Sequence, residues 1–491
     1  MPACRSEIPV VAELLRAPAV RRIGAALLLA AALLGAPAAA QDEAERRQLP
    51  DSVSAALRGA AIPAAASAIV VLPLAPGGVT IEANESQPMN PASTMKLVTT
   101  YAALDLLGPA YTWRTEAFAT GSLRRDVLEG NLVIRGSGDP KLVIESLWLM
   151  IQRIRGYGIR EIRGDVVLDR SAFAPVAHEP GDFDGERLRP YNAGPDALLL
   201  NFKAISLGFV PDPETRSARI VAVPLLAGMK LPATVRGADG PCSDWRGKLQ
   251  ADFSDPMAPV FRGAYPLSCG EQIWHLSLLD HSRYFSAAFA ALWSNAGGTW
   301  SGKLREGTVP ADARRIALNE SAPLAEVIRD VNKFSNNVMA RQIYLTLGTD
   351  GGRQSASAAR AEAAIRAWLD SRGLAMPELV LENGSGLSRT ERISAGNLAR
   401  LLRHAFAGPL MPELMASLPL LGIDGTMRKR NGAAGRAHIK TGLLADVRAI
   451  AGYVDAASGR RYVVVGIINH PNAGSGQAAH DALLQWVYLN G

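Results

Sequence analysis

The chain has 491 residues, 48% of them hydrophobic and 20% charged, with a formal net charge of +6. This is ordinary globular composition with ample material for a core, and the length is that of two or three domains. No internal repeat or low-complexity tail stands out. A charge this mild is compatible with an anionic envelope polymer or a membrane surface without choosing between them or against a plain solvated surface.

The first elements concern export. Arg21 and Arg22 precede an apolar run from Ile23 to Leu34, and GAPAAAQ follows with small residues at Ala38 and Ala40. This is the layout of a secretory signal peptide over residues 1–40, cleaved after Ala40. The run is short for a transmembrane helix, although an uncleaved anchor is the alternative reading. Losing four Arg and two Glu with this segment lowers the net charge from +6 to +4. Of the three cysteines, Cys4 leaves with it. Cys242 and Cys269 remain as an even pair that an oxidising compartment would join, the alternative being two free thiols. The closed loop would contribute roughly 3–4 kcal/mol in the chain-entropy model.

Residues 41–112 read as the first part of an α/β domain. AASAIVVLPL and GGVTIEANES are two strands joined by a Pro/Gly turn. A helix is expected from Ser93 to Leu107, with Pro91 at its start and Gly108-Pro109 at its end. Its apolar residues cover most of the circumference, which predicts burial. From Thr112 the texture changes to period-two alternation in TWRTEAFATGSL, VLEGNLVIRGSGDP, EIRGDVVLDRSAF and SARIVAVPLL. Residues 113–275 are therefore read as a strand-rich insertion with a few short helices. Helical patterns return at RYFSAAFAALWSNAGG, APLAEVIRDVNKFSNNVMARQIYLTLG and AARAEAAIRAWLDSRG. The chain then reads strand (RAHIKTGLL), strand (VRAIAGYVDA), strand (RRYVVVGIINH) and a last helix (GQAAHDALLQWVYLN). Residues 276–491 thus supply the second part of one α/β domain that the insertion interrupts.

Three short motifs carry chemistry. In NPASTMKLVTT, Ser93 and Lys96 lie three apart on one helix face. A serine hydroxyl is a weak nucleophile until a base takes its proton. A buried lysine near other cations has its pKa pushed down and can serve as that base. NKFSNNVMARQ contains an S-x-N at Ser335 and Asn337, and HIKTGLL contains Lys440, Thr441 and Gly442 on a predicted strand. The order S-x-x-K, S-x-N, K-T-G is the motif set of β-lactamases and penicillin-binding proteins. A glycine in the strand permits close backbone approach.

On these residues the sequence resembles the class C low-molecular-mass penicillin-binding proteins, the D-Ala-D-Ala carboxypeptidase/endopeptidases. The spacing of 242 from Ser93 to Ser335 resembles the large insertion of that class, which implies two subdomains within residues 113–275, and GNLVIRGSGDP, GDVVLD, ENGSGLSR and LPLLGIDGTMRKR resemble further stretches of it. The resemblance implies a β-lactamase/transpeptidase-like fold, an antiparallel sheet flanked by helices. It implies Ser93 as nucleophile and Lys96 as general base. Ser335 would pass a proton to the leaving amine with Lys440 in support, and Asn337 would hold the acyl amide. Lys440 and Thr441 would receive the terminal carboxylate, and the N–H groups of Ser93 and Leu443 would form the oxyanion hole. Leu443 stands where the family usually has Thr or Ser, so a hydroxyl is missing. Arg389 matches an arginine lining the cleft, and Glu186 and Tyr191 fall where the family places contacts from the insertion.

The implied partners are peptidoglycan stem peptides, with β-lactam antibiotics as covalent inhibitors, and the implied location is the periplasm. Peripheral membrane contact is compatible with the charge, and the oligomeric state is left open. No cofactor or metal is expected, since no H-x-x-x-H or H-E-x-x-H spacing occurs. RGSGDP is no phosphate loop, Arg428-Lys429-Arg430 is too short for nucleic-acid binding, and His438 is read as a structural strand residue. The rival readings are a serine β-lactamase and a catalytically inactive peptidoglycan-binding scaffold.

Overall fold

The last three strands of the chain build a sheet that the first two complete. In the computed structural model, which describes residues 48–491 apart from Val176, the order across this sheet is Ile81–Ala83, Ser67–Pro73, Arg461–Asn469, Val447–Asp455, Ala437–Leu444. Every neighbouring pair is antiparallel. The expected signal peptide and Cys4 lie outside the described residues. Among the described residues no helix is long and apolar enough to cross a membrane.

The central strands are apolar on both faces because helices cover both. Val463, Val465 and Ile467 point into one core and Val464 and Ile468 into the other, the period-two alternation of a pleated strand. One face packs against Asp51–Gly59 and the terminal helix Gln477–Asn490 through Val53, Leu57, Leu483 and Val487. The other packs against a helical layer that includes Lys96–Leu107, Leu324–Lys333, Asn337–Leu347 and Ala395–Ala407. The helix after Ser93 is buried almost all round over its first nine residues, as its uniform hydropathy predicts.

The inserted region differs from expectation in extent. Arg314–Glu320 pairs antiparallel with Arg114–Ala119, and Leu304–Glu306 pairs parallel with Val166–Asp169. The insertion therefore closes at Glu320 rather than at residue 275. The helix His281–Asn295 and the strands that follow it complete the insertion instead of opening the second part of the α/β domain. Arg114, where the chain leaves that domain, pairs with Glu320, where it returns. Besides smaller sheets, the insertion holds two five-stranded ones, one containing Leu132–Gly136 and the other built around Ile205–Asp212. Residues of both, such as Ile134 and Phe209, belong to one continuous apolar cluster. Cys242 and Cys269 form a disulfide just beyond the paired strands Thr234–Ala238 and Tyr265–Pro266.

Candidate active site

The turn before the first motif is built by asparagines. Asn90 Oδ1 accepts the N–H of Ala92 at 2.9 Å, and Asn469 brackets the backbone of Asn90 with bonds of 2.8 and 2.9 Å. Ala92 is held at a φ of +45°, a conformation that non-glycine residues adopt rarely and mostly where the surroundings impose it. The chain then makes a 3-10 turn, Ala92–Met95, and the α-helix begins only at Lys96. Ser93 is half-buried at the mouth of this turn, while Lys96 is fully buried beneath it.

Lys96 Nζ has three neighbours: Ser93 Oγ at 2.9 Å, Asn337 Oδ1 at 2.6 Å and the carbonyl oxygen of Ser385 at 2.5 Å. The two carbonyl-type oxygens can only accept, so they take two N–H bonds. A neutral amine then has its lone pair left for the Ser93 hydroxyl. Burial pushes the Lys96 pKa well below its ordinary value, and the positive charges of Lys440 and Arg341 push it the same way, against the pull of Glu391.

Sequence reasoning missed how this third neighbour is held. Ser385 lies in the loop Glu382–Gly386, which curls around the fully buried Glu391. One carboxylate oxygen of Glu391 accepts the N–H groups of Glu382, Asn383 and Gly384 at 3.2, 3.0 and 2.8 Å, and the other accepts that of Gly386 at 2.9 Å. Gly386, with φ +76°, lies so close behind Ser93 that a Cβ there would come within 1.9 Å of the Ala92 oxygen. The quoted stretch ENGSGLSR contained this loop, but its convergence on a glutamate downstream is a tertiary fact.

The second motif sits in a break. The pattern 322–348 forms two helices, and Ser335 occupies the turn between them at a φ of +57°. Asn336 caps the second helix by accepting the Met339 N–H at 3.1 Å, which places Asn337 at its first turn, facing Lys96. The third motif runs along the edge strand Ala437–Leu444. Buried Lys440 reaches Ser335 Oγ at 2.9 Å and the Thr441 carbonyl at 2.6 Å, and burial lowers its pKa to about 7. Thr441 shares a 2.8 Å hydrogen bond with Thr426, whose turn is anchored by an ion pair of 2.6 Å between Lys333 and Asp424. A Cβ at Gly442 would stand 2.7 Å from the Pro91 oxygen and 3.1 Å from Ser93 N. The strand thus abuts the nucleophile turn, and Leu443 follows with 60% of its surface exposed.

These bonds tie Ser93, Lys96 and Asn337 into one group and Ser335 and Lys440 into a second, whose positive charge acts on Lys96; the outlying candidates are less uniform. Arg389 makes a 3.2 Å ion pair with Asp446 and lies over the ring of Phe183, 4.6 Å from its centroid. Both line a cleft of about 460 Å³ between the loop after Glu382 and the insertion. Glu186 and Tyr191 do not enter it: Glu186 pairs with Arg189 at 3.1 Å and Tyr191 donates to Asp184 at 2.9 Å. The insertion residue that meets Arg389 is Phe183, three positions earlier in the same stretch. Among the described residues no group of three or more His, Cys, Asp and Glu side chains converges as a metal site.

Residues 49–488 match the model of the D-Ala-D-Ala carboxypeptidase 3 (S13) family. The chain is 28% identical over 492 residues to a D-alanyl-D-alanine carboxypeptidase of Actinomadura sp., covering 93% of this chain and 88% of that one. It is 24% identical to the D-alanyl-D-alanine carboxypeptidase DacB of Haemophilus influenzae, over 80% of this chain and 82% of the other. The crystal structure of penicillin binding protein 4 from H. influenzae superposes with a TM-score of 0.73 at 21% identity, covering 89% of this chain and 100% of that one. The same protein has been solved in complex with a β-lactam.

Proposed function

The chain belongs to the D-Ala-D-Ala carboxypeptidase 3 (S13) family, and we propose from its site how it works as a serine peptidase on peptidoglycan. The protein is a penicillin-binding serine hydrolase of the D-Ala-D-Ala carboxypeptidase kind. The observation that carries the mechanism is the fixing of Lys96 Nζ between two obligate acceptors and the Ser93 hydroxyl.

In this reading the neutral Lys96 amine takes the Ser93 proton as Oγ attacks the carbonyl between two D-alanines. The N–H groups of Ser93 and Leu443 take the charge that develops on the carbonyl oxygen, a contribution of roughly 3–4 kcal/mol per well-placed donor. Ser335, bonded to Lys440, relays the proton to the departing amine. Asn337 holds the acyl amide while keeping Lys96 aimed. Lys440 and Thr441 receive the terminal carboxylate. Water, activated by the same lysine, then releases the acyl group and regenerates Ser93. Arg389 beside Phe183 is the cation offered to a carboxylate further back on the stem peptide. Glu186 and Tyr191, held by their own neighbours, are left with no direct part in this reading. Cleavage of cross-links, where the leaving amine belongs to a diamino acid, uses the same steps.

A peptidoglycan substrate implies work outside the cytoplasm, and the periplasm, reached after cleavage at Ala40, is part of the proposal. The test is intact mass of the mature chain over time with excess benzylpenicillin, beside Ser93→Ala. A lasting single adduct on the wild type alone is expected. An adduct that decays as the drug is consumed would make the protein a β-lactamase. No adduct on either protein would mean that the three motifs do not form a working site.

A further inference from the structure

A second cleft, of about 950 Å³, opens where the insertion meets the α/β domain, and none of the motif residues lines it. Its walls come from the insertion, with Ser355 contributed from the other side. Most of its charges are spent on one another. Arg170 pairs with Asp196 at 2.6 Å and with Glu306, Arg187 pairs with Glu179 at 3.1 Å, and Asp280 caps the helix His281–Asn295 by accepting the Arg283 N–H at 2.8 Å.

Lys203 is the exception. It is 92% buried, being 8% exposed, yet its ammonium makes no hydrogen bond or ion pair with any described residue and faces the cleft. The backbone that delivers it is unusual: Asn201, Phe202 and Lys203 stand in succession at φ values of +49°, +54° and +56°. Three consecutive non-glycine residues in this region are rare, and such strain persists only when the surroundings impose it. Here Tyr284 and Asn201 impose it, both bonding the Ala204 carbonyl. On the same wall Ser277, 6% exposed, has a hydroxyl with no partner. The first turn of the helix His281–Asn295 also borders the cleft, with its unpaired N–H groups. The stem of Lys203 is buried while its ammonium opens on the cleft with no protein partner, which leaves it free to meet an anion there.

We propose that this cleft is a second, non-catalytic site for a short peptide, whose terminal carboxylate is taken by Lys203. A carboxylate supplies the Lys203 ammonium with the partner it lacks. Phe173, Leu188 and Leu278 supply apolar wall for side chains. That the peptide is a wall stem peptide rests on the function proposed above; the peptide-carboxylate site itself does not.

The test is calorimetric titration of the mature protein, its Ser93 first blocked with benzylpenicillin, with a wall tetrapeptide ending in D-alanine. Ser93→Ala serves instead if no adduct forms, so that failure of the catalytic reading and failure of this one are read separately. Saturable binding is expected on the blocked protein. Lys203→Met should weaken it roughly ten- to hundredfold and leave the rate of benzylpenicillin acylation unchanged, which also reports that the variant is folded. The same peptide with a C-terminal amide should bind as weakly to the wild type. No saturable binding on the blocked protein, equal binding by Lys203→Met, or equal binding of the amide would overturn the proposal.

Discussion

Gly442→Ala isolates the close approach of the K-T-G strand to the nucleophile turn. Gly442 is outside the left-handed region, so alanine meets no backbone penalty and only space is altered. The added methyl would sit 2.7 Å from the Pro91 oxygen, 3.1 Å from the Ala92 Cβ and 3.1 Å from Ser93 N. Carbon–oxygen contacts relax near about 3.3 Å, so strand and turn must part by roughly half an ångström. Overpacking of this kind costs about 1–3 kcal/mol of stability. The functional loss should be larger than that suggests, because the N–H groups proposed to hold one oxygen move apart together. A misplacement approaching 1 Å costs up to about 10²-fold in rate, so benzylpenicillin acylation should slow roughly ten- to hundredfold. The assay is the second-order rate of adduct formation by intact mass, with urea unfolding alongside. A rate within about twofold of wild type in a folded variant would refute the argument that this contact spaces the site.

Leu443→Thr, at a position 60% exposed, should leave stability within about 0.5 kcal/mol. It should lower KM for a D-Ala-D-Ala-terminated peptide roughly three- to tenfold by supplying one hydroxyl to the carboxylate; an unchanged KM would place that carboxylate elsewhere. Glu391→Gln turns an amide N–H₂ against at least one of the four N–H groups the carboxylate now accepts. Urea unfolding should show a loss of about 1.5–3 kcal/mol, and acylation should slow as Ser385 drifts from Lys96. Lys440→Met should abolish turnover and change how stability varies with pH. Burial holds the wild-type lysine near a pKa of about 7, below its unfolded value. The cost of burying its charge is therefore complete below pH of about 7 and is relieved as pH climbs toward the unfolded pKa, about 10.4. Wild type should gain on the variant between those limits, as urea midpoints measured below pH 7 and near about pH 9 would reveal; parallel curves would count against the depressed pKa.

Much of the catalytic unit was legible because its signals are local. The strands Ala437–Leu444, Val447–Asp455 and Arg461–Asn469 and the helix after them are apolar-rich segments set apart by short polar turns, and each forms as read. Three motifs, none longer than four residues, could be tied to a chemistry without any knowledge of what lay between. What failed was non-local. Thr299–Trp300 and Leu304–Glu306 are too short to show a period, and they pair in parallel with partners about 140 residues earlier. Nothing in their composition marks them as part of the insertion. The break at Ser335 carries neither Gly nor Pro, so the helical pattern runs through it. Its positive φ is imposed by Asn336 capping and by Lys440 from a distant strand. Glu391 is one acidic residue in a loop until four backbone N–H groups close on it. Glu186 and Tyr191 follow from the family resemblance alone, and which side chain of that stretch meets Arg389, namely Phe183, depends on how the insertion folds back over the cleft.

The pairing of Ser67 with Ile468 sets the order in which this molecule can be born. A chain crossing a membrane emerges amino end first, and the strand Ser67–Pro73 must then wait for nearly the entire remainder before its neighbour exists. The insertion has no such delay, since Arg114 finds Glu320 well before the carboxyl-terminal strands arrive. Assembly is thus expected to run from the middle outwards, with the slow, long-range closure last. During that interval an apolar strand edge stands open to other chains, which is where a holdase would be of most use. The same delay is a safeguard: until Lys440 is delivered, a truncated chain carries Ser93 without the lysine proposed to support Ser335 and receive the substrate's carboxylate.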